Sequence, residues 1–171
     1  MNPWDNEPNR KEWEAHGLKC VIVRQDRSGH LCGYVGLPKS HPLHGVDYNT
    51  PHPALAAALT QRMGEPTKDT DGFIAIFIAA CKDSDAERAT MDVALDVHGG
   101  VTYSRDGLHG YKGNDLWWIG FDCNHSGDFA PRDTERGFTW RIGGTYRDMA
   151  YVTEQTEGLA RQLSEIRGDA A

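Results

Sequence analysis

The sequence lacks the features that mark secreted and membrane proteins. Its four cysteines never form a C-x-x-C pair, and the polar, acidic amino terminus does not have the basic and then apolar pattern of a secretory signal. The longest apolar run, at 73–81, is shorter than the roughly 20 residues that span a bilayer. These absences predict a cytoplasmic protein that does not enter a membrane and keeps its thiols free.

An excess of basic residues is also missing. The 171 residues include 18 Lys and Arg against 25 Asp and Glu, which gives a formal net charge of −7, and no run of basic residues occurs. This balance argues against a partner bound mainly through its phosphates, such as a nucleic-acid backbone. The length predicts a single domain over 1–171 with one hydrophobic core.

Local patterns predict an α+β fold, in which a mainly antiparallel sheet carries a long carboxy-terminal helix and a shorter helix. Two β-rich segments at 18–25 and 30–37 flank a turn and predict a hairpin. A helix is predicted to begin at Pro53 and to continue to Met63. Apolar residues at steps of three and four predict an amphipathic helix over 145–167.

Weaker patterns predict the other elements. They comprise a helix over 10–16 that ends at Gly17, an ordered loop over 38–52, strands over 73–81, 91–97, 116–121 and 137–142, a helical turn over 83–88, and polar connections over 104–115 and 124–136. Gly99 and Gly100 either continue the strand at 91–97 through a bulge or turn the chain out of it.

Polar side chains follow two apolar segments, 93–97 and 116–121, where each would end as a strand. The residues that can bind metal, phosphate or polar substrate there are Asp96, His98, Gly99 and Gly100 at the end of the first segment, and Asp122, Cys123, His125 and Asp128 after the second. If the two strands are neighbours, their ends bring histidines and carboxylates close together. The sequence therefore predicts a functional site here without naming a reaction.

The leading interpretation is a site for a polar ligand, such as a nucleotide, without a cofactor. Glycines let a ligand approach the backbone, an exposed indole offers a stacking face, and the other side chains supply hydrogen bonds. The residues assigned to this site are His98, Gly99, Gly100, Tyr103, Trp117, Trp118, Asp122, His125 and Asp128. The competing interpretation is that the glycines form only a bulge and that both indoles are buried.

The same segment also suggests a metal-dependent hydrolase. Imidazole and carboxylate groups bind zinc or another divalent metal, and an open position on the metal holds the attacking water. The candidate ligands are His98, Asp122, His125 and Asp128. Asp96 would not bind the metal itself but would orient one of the imidazole ligands. Their spacing matches no strong metal signature such as H-E-x-x-H, and such residues also cap turns, so this interpretation ranks below ligand binding.

Two other groups are assigned structural roles. Cys123 could be a nucleophile activated by a nearby histidine, but no cysteine-protease context surrounds it, which favours an inert core thiol. His41, His44 and His52 resemble a metal cluster in composition only, and the prolines between them favour an ordered surface loop.

Four segments resemble an uncharacterised family of small proteins from bacteriophage and bacterial genomes. They contain Cys-Gly-Tyr-Val-Gly at 32–36, Asp-Val-His-Gly-Gly at 96–100, Trp-Trp-Ile-Gly-Phe-Asp-Cys at 117–123, and a terminal helix. The resemblance covers most of the chain except 50–82. It implies an accessory protein that acts in the cytoplasm of a bacterial host and binds a polar small molecule or a host protein, for instance to counter a host defence.

Overall fold

The computed structural model describes residues 2–63, 89–108, 110–111, 115–135 and 143–167. The strands are β1 (Arg10–Ala15), β2 (Leu18–Arg24), β3 (Leu31–Leu37), β4 (Tyr103–Arg105) and β5 (Trp117–Asp122). The helices are α1 (Ala56–Met63), α2 (Met91–Ala94), α3 (Pro131–Glu135) and α4 (Met149–Glu165), with short 3-10 turns at Pro3–Asp5 and Pro53–Leu55. The predictions for 73–81, 83–88 and 137–142 lie outside the described residues.

The strands form one antiparallel sheet in the order β1-β2-β3-β5-β4, which confirms the predicted α+β class. The predicted hairpin is β2 and β3, which pair with Cys20 opposite Val35. The predicted strand at 116–121 is β5, which joins the sheet beside β3 with Ile119 opposite Val35. These elements follow their local sequence patterns because β-branched and aromatic residues alternate between two apolar faces.

The long helix α4 packs on one face of the sheet, mainly against β3 and β2. Asp148 caps its amino terminus by accepting a hydrogen bond from the Tyr151 amide at 2.8 Å. The buried stripe of α4 comprises Met149, Val152, Thr156, Leu159, Ala160 and Leu163. The predicted amphipathic helix is thus confirmed, although it begins four residues after Thr145.

The shorter helix α1 follows the 3-10 turn that begins at Pro53, as the proline pattern predicted. The His52 imidazole accepts a hydrogen bond from the Ala54 amide at 3.3 Å, so it caps this turn. Among the described residues, no helix is long and apolar enough to cross a membrane.

The predicted helix over 10–16 is wrong, because this segment is the edge strand β1. Trp13 and Ala15 are half-buried while Glu12 and Glu14 are exposed, which is the period of a strand with one face on the protein. His16 and Gly17 have φ angles of 52° and 76° and form the tight turn into β2. Pairing with β2 overrides the helix propensity of lysine, glutamate and alanine.

The predicted strand over 91–97 is also wrong. Its first half is the short helix α2, and its second half lies outside the sheet. The Gln162 side chain on α4 takes the place of a neighbouring strand, because it accepts from the Asp96 amide at 2.8 Å and donates to the Asp96 carbonyl at 2.7 Å. The predicted loop at 124–136 contains one short helix, α3.

Candidate functional site

Two loops meet beside the amino-terminal turn of α4. The first turns at Val97–Gly100, where the Gly100 amide donates to the Val97 carbonyl at 3.0 Å. The second follows β5 and turns between His125 and Asp128, where the Asp128 amide donates to the His125 carbonyl at 3.0 Å. The two turns place one imidazole from each loop against the same carboxylate.

The core of the site is the cluster of His98, His125 and Asp128, called here the His-His-Asp cluster. His98 Nε2 lies 2.8 Å from Asp128 Oδ2, and His125 Nδ1 lies 3.6 Å from the same oxygen. One ligand atom from each residue lies within 4.8 Å of the others. In the described part of the chain, this is the one group of three such residues that could hold a metal ion.

The Asp128 carboxylate is 3% exposed and is surrounded by hydrogen-bond donors. Arg147 Nε donates to Oδ1 at 2.9 Å, while the His125 amide donates to Oδ2 at 2.9 Å. Burial alone would raise the pKa of Asp128, but hydrogen bonds from His98, Arg147 and the His125 amide outweigh it and hold the pKa below the ordinary 3.8. Asp128 therefore carries a negative charge inside the protein.

His125 supplies a buried nitrogen that lacks a hydrogen bond. Its side chain is 33% exposed as a whole, yet Nδ1 is buried and has no hydrogen-bond partner. A buried polar atom without a partner is uncommon because its lost hydration is not replaced. Nδ1 faces the Asp128 carboxylate, so a cation between the two groups would satisfy it.

Gly99 makes room for the His125 ring. A side chain built on Gly99 would overlap that ring, and Gly99 has a φ of 68°, which favours glycine. His98 and His125 can therefore approach each other, with ring centroids 5.5 Å apart.

Helix α4 contributes a polar stripe that holds the site. The Tyr151 hydroxyl lies 3.0 Å from His98 Nδ1, and the Gln155 side chain accepts from the His98 amide at 2.9 Å. Gln162 binds the backbone of Asp96 two turns further on, and Arg147 precedes the helix cap. Sequence reasoning missed these residues, although their steps of four and seven place them on one helix face.

Asp122 does not join the cluster. Its Oδ2 accepts from the Thr102 hydroxyl at 3.0 Å, and its Oδ1 accepts from the Asn124 amide at 3.0 Å. Side chains alternate along β5, and Trp118 lies in the apolar cluster on the face away from α4, whereas Phe121 packs toward α4. Asp122 shares the face of Trp118 and lies outside the His-His-Asp cluster.

Asp96 is the other residue to which the sequence assigned a role at the metal, and its described side-chain contact is with Arg62. Its side chain is 80% exposed and lies 3.5 Å from the Arg62 guanidinium. The backbone amide and carbonyl of Asp96 both hydrogen-bond the Gln162 side chain on α4. Gly100 lies beside the cluster in an open position, because the nearest atom to a side chain built there is 3.9 Å away.

The aromatic residues assigned to a ligand site lie elsewhere. Trp118 is fully buried and Tyr103 packs beside it on the face away from α4. Trp117 is half-buried at the opposite end of β5 from Asp122, about 17 Å away at 3.3 Å per residue, and its indole donates to the Val46 carbonyl at 2.9 Å. Tyr103 and Trp117 instead line a separate open cleft with Asp47, of about 760 Å³.

The structural roles assigned to the other candidates agree with their surroundings. Cys123 is buried, and burial raises the pKa of its thiol, so the nucleophilic thiolate is disfavoured. His41 hydrogen-bonds the Leu163 carbonyl at 2.9 Å, and His44 hydrogen-bonds the Asp115 carbonyl at 3.2 Å. These histidines and His52 bind loop or helix backbone and do not form a group with the ligand-atom spacing of the His-His-Asp cluster.

Comparisons of the chain with models of known families, with curated proteins and with solved structures returned no match.

Proposed function

We propose that the protein binds one divalent transition-metal ion through the His-His-Asp cluster and uses a metal-bound water to hydrolyse its substrate. The observation that carries this proposal is the convergence of His98, His125 and Asp128, of which one ligand atom each lies within 4.8 Å of the others. His98 Nε2 and His125 Nδ1 lie 2.8 Å and 3.6 Å from Asp128 Oδ2. A backbone hydrogen bond closes the turn in each of the two loops that supply these residues. Gln155 and Tyr151 on α4 also hydrogen-bond His98.

The donor set favours zinc or an ion of similar size. Two neutral imidazoles and one carboxylate form a ligand set of catalytic zinc sites, whereas calcium and magnesium prefer oxygen ligands. Arg147 occupies Oδ1 of Asp128 at 2.9 Å, so the carboxylate offers the metal one oxygen, Oδ2. Three protein ligands leave the fourth tetrahedral position for water.

Hydrolysis follows from the chemistry of that fourth position. A zinc ion lowers the pKa of its bound water to about 7, so a hydroxide nucleophile is available at neutral pH. The His125 side chain is 33% exposed, so part of its ring borders solvent, while its Nδ1 atom and the Asp128 carboxylate are buried. A substrate would therefore approach the metal past the exposed part of this ring.

The direct test is zinc titration of protein that has been stripped with a chelator. Wild-type protein should bind about one ion per chain, and His125→Ala should lose that binding because it removes one of three ligands. His44→Ala is the matched control, since His44 hydrogen-bonds the Asp115 carbonyl away from the cluster and its loss should leave the stoichiometry unchanged. Substoichiometric zinc in wild type, or equal binding by His125→Ala, would reject the metal site.

The hydrolase part of the proposal has its own test. Zinc-loaded protein should hydrolyse p-nitrophenyl acetate or bis(p-nitrophenyl) phosphate faster than the chelator-stripped protein, and His125→Ala should show no such gain. If the protein binds one zinc ion per chain but hydrolyses neither ester, the proposed hydrolysis of these two bond types is rejected and the proposed metal site is retained.

A second candidate function is the binding of a polar ligand in the cleft lined by Tyr103, Trp117 and Asp47. The cleft combines aromatic residues with the exposed Arg105, a combination that suits a nucleotide. Its test is a thermal-shift screen of nucleotides, in which a stabilising nucleotide should lose its effect in Arg105→Ala. The same stabilisation in Arg105→Ala would contradict this assignment. A role against a host defence, inferred from the family resemblance, stays a prediction.

A further inference from the structure

We infer that Tyr151 is a positioning residue for His98. Its hydroxyl can hydrogen-bond Nδ1 in either neutral tautomer of the ring, and so keeps Nε2 directed at the metal position. This inference rests on the proposed metal site. Tyr151 acts through the far nitrogen of His98 and is not itself a ligand, since its hydroxyl lies 3.0 Å from Nδ1 while Nε2 faces Asp128 at 2.8 Å.

The geometry fixes the imidazole at both ends. The rings of His98 and Tyr151 are nearly perpendicular, at 86°, with centroids 5.6 Å apart. The His98 backbone is held as well, because its amide donates to the Gln155 side chain at 2.9 Å. The ring therefore cannot rotate away from Asp128 without losing the Tyr151 contact.

The position of Tyr151 is itself determined by α4. Its amide donates to the cap residue Asp148 at 2.8 Å, which places Tyr151 in the first turn of the helix. The Arg147 guanidinium lies over the Tyr151 ring, 4.9 Å from the centroid, while its Nε binds Asp128. The residues that orient the carboxylate and the imidazole are thus neighbours on one helix end.

A hydroxyl suits this position because it can donate or accept a hydrogen bond. Without metal, a neutral His98 that donates from Nε2 to Asp128 has its lone pair on Nδ1, which accepts from the Tyr151 hydroxyl. A metal on Nε2 requires that lone pair to be on Nε2, so the hydrogen moves to Nδ1. Nδ1 then donates to the hydroxyl oxygen, which accepts.

The exchange balances in protons. For a ring that is neutral without metal, one proton leaves Nε2 and one is taken up at Nδ1, so this exchange releases no net proton. The Tyr151 hydroxyl keeps its own proton and only changes its direction. A phenylalanine could neither donate to the metal-free ring nor accept from the metal-bound one, so the metal-binding tautomer would lose its partner.

The test compares zinc affinity in wild type, Tyr151→Phe and a control, Tyr103→Phe, by competition with a chromogenic chelator. Tyr151→Phe should weaken zinc binding about 10- to 100-fold, which is the usual effect of removing an outer partner of a metal-bound histidine. Tyr103→Phe removes a hydroxyl that donates to the Gly107 carbonyl on the face away from α4, so its affinity should stay within about twofold of wild type.

A spectroscopic readout separates positioning from a general loss of structure. Long-range ¹H–¹⁵N spectra of the zinc-loaded wild type should show the His98 proton on Nδ1, and the visible spectrum of the Co²⁺-loaded protein should change in Tyr151→Phe but not in Tyr103→Phe. Urea unfolding of both variants shows whether each remains folded under the conditions of the titration.

The outcomes are distinguishable. If wild-type protein binds no zinc, both the proposed metal site and the positioning role of Tyr151 are overturned before any variant is compared. Wild-type binding with equal affinity and an unchanged Co²⁺ spectrum in Tyr151→Phe overturns the role of Tyr151 alone. A zinc-bound His98 with its proton on Nε2 would overturn it as well.

Discussion

Asp128 keeps an ionised carboxylate almost fully buried because donors surround it on both oxygens. Arg147 binds Oδ1, while His98 and the His125 amide bind Oδ2. In the absence of metal these contacts satisfy the charge within the protein. A metal at Oδ2 would replace the His98 hydrogen bond and leave the Arg147 contact in place.

The lowered pKa of Asp128 predicts a pH-dependent contribution to folding. The charged form is favoured more in the folded than in the unfolded chain, so its stabilisation is full above the ordinary pKa of 3.8 and is lost as the pH falls through the lower folded value. Asp128→Asn should therefore lower the free energy of unfolding by about 2 kcal/mol at pH 7.

Urea unfolding from pH 7 down to pH 2.5 checks this expectation. The difference in unfolding free energy between wild type and Asp128→Asn should become smaller below about pH 4, because the Asp128 carboxylate of the wild type becomes protonated there and the asparagine does not titrate. Asp92→Asn, at an exposed position of α2, should follow the wild type throughout. A difference that stays constant down to pH 2.5 would mean that the Asp128 charge does not stabilise the fold.

Gly99 and Gly100 offer a matched pair for testing how His125 is placed. Both have positive φ angles, 68° and 85°, so alanine at either position should cost about 1–2 kcal/mol of backbone strain. Only Gly99→Ala should also displace the His125 ring, since the nearest atom to an added side chain at Gly100 is 3.9 Å away.

Zinc titration of the two variants separates these effects. Gly99→Ala should bind zinc more weakly than Gly100→Ala, and its loss of unfolding free energy should be at least as large. Equal zinc affinity in both variants would show that the close approach of Gly99 to His125 has no part in the site.

Among the elements, the packing of α4 on the sheet sets the position of Tyr151 and Gln155. Gly33 on β3 permits this approach, because a side chain there would overlap both the Thr156 hydroxyl and the Phe121 ring. Those two residues are buried, with exposures of 0% and 1%, so neither has free space to move into.

Gly33→Ala should therefore lower the free energy of unfolding by about 1–3 kcal/mol, the usual cost of overpacking a core. Gly107→Ala is the control, since no atom lies within 4 Å of a side chain added there. Urea unfolding of both variants gives the comparison. A Gly33→Ala protein as stable as Gly107→Ala would contradict the tight contact between α4 and β3.

The elements that the sequence predicted correctly carry their own local signals. The β2–β3 hairpin has turn residues between its strands, and α4 has a cap residue and an apolar period. The segments at 10–16 and 91–97 were predicted wrongly because tertiary contacts override their local patterns, through pairing with β2 for the first and through the Gln162 side chain for the second. Local propensities do not show which of these contacts will form.

The site was predictable in part. Residue chemistry alone selected His98, His125 and Asp128, and the alternation of β5 could have excluded Asp122, which shares a face with Trp118. Tyr151 and Arg147 were missed because nothing in the sequence shows which residues the start of α4 contacts. Those contacts depend on how the helix lies across the sheet.

At the scale of the whole molecule, the fold brings together two loops that are distant in sequence. Pairing of β5 with β3 places the loop after β5 at one sheet end, and α4 lies across β3 with its first turn beside that loop. The segment that leads to His98 is fixed along α4 by Gln155 and Gln162. The His-His-Asp cluster is thus a product of the sheet order and of α4 together.

The most direct measurement is X-ray diffraction from crystals of the zinc-loaded protein, with data collected on both sides of the zinc absorption edge. We expect one anomalous peak about 2.0–2.1 Å from His98 Nε2 and His125 Nδ1 and about 2.0–2.2 Å from Asp128 Oδ2. A fully occupied zinc ion elsewhere, with His98 still hydrogen-bonded to Asp128, would contradict the proposed site.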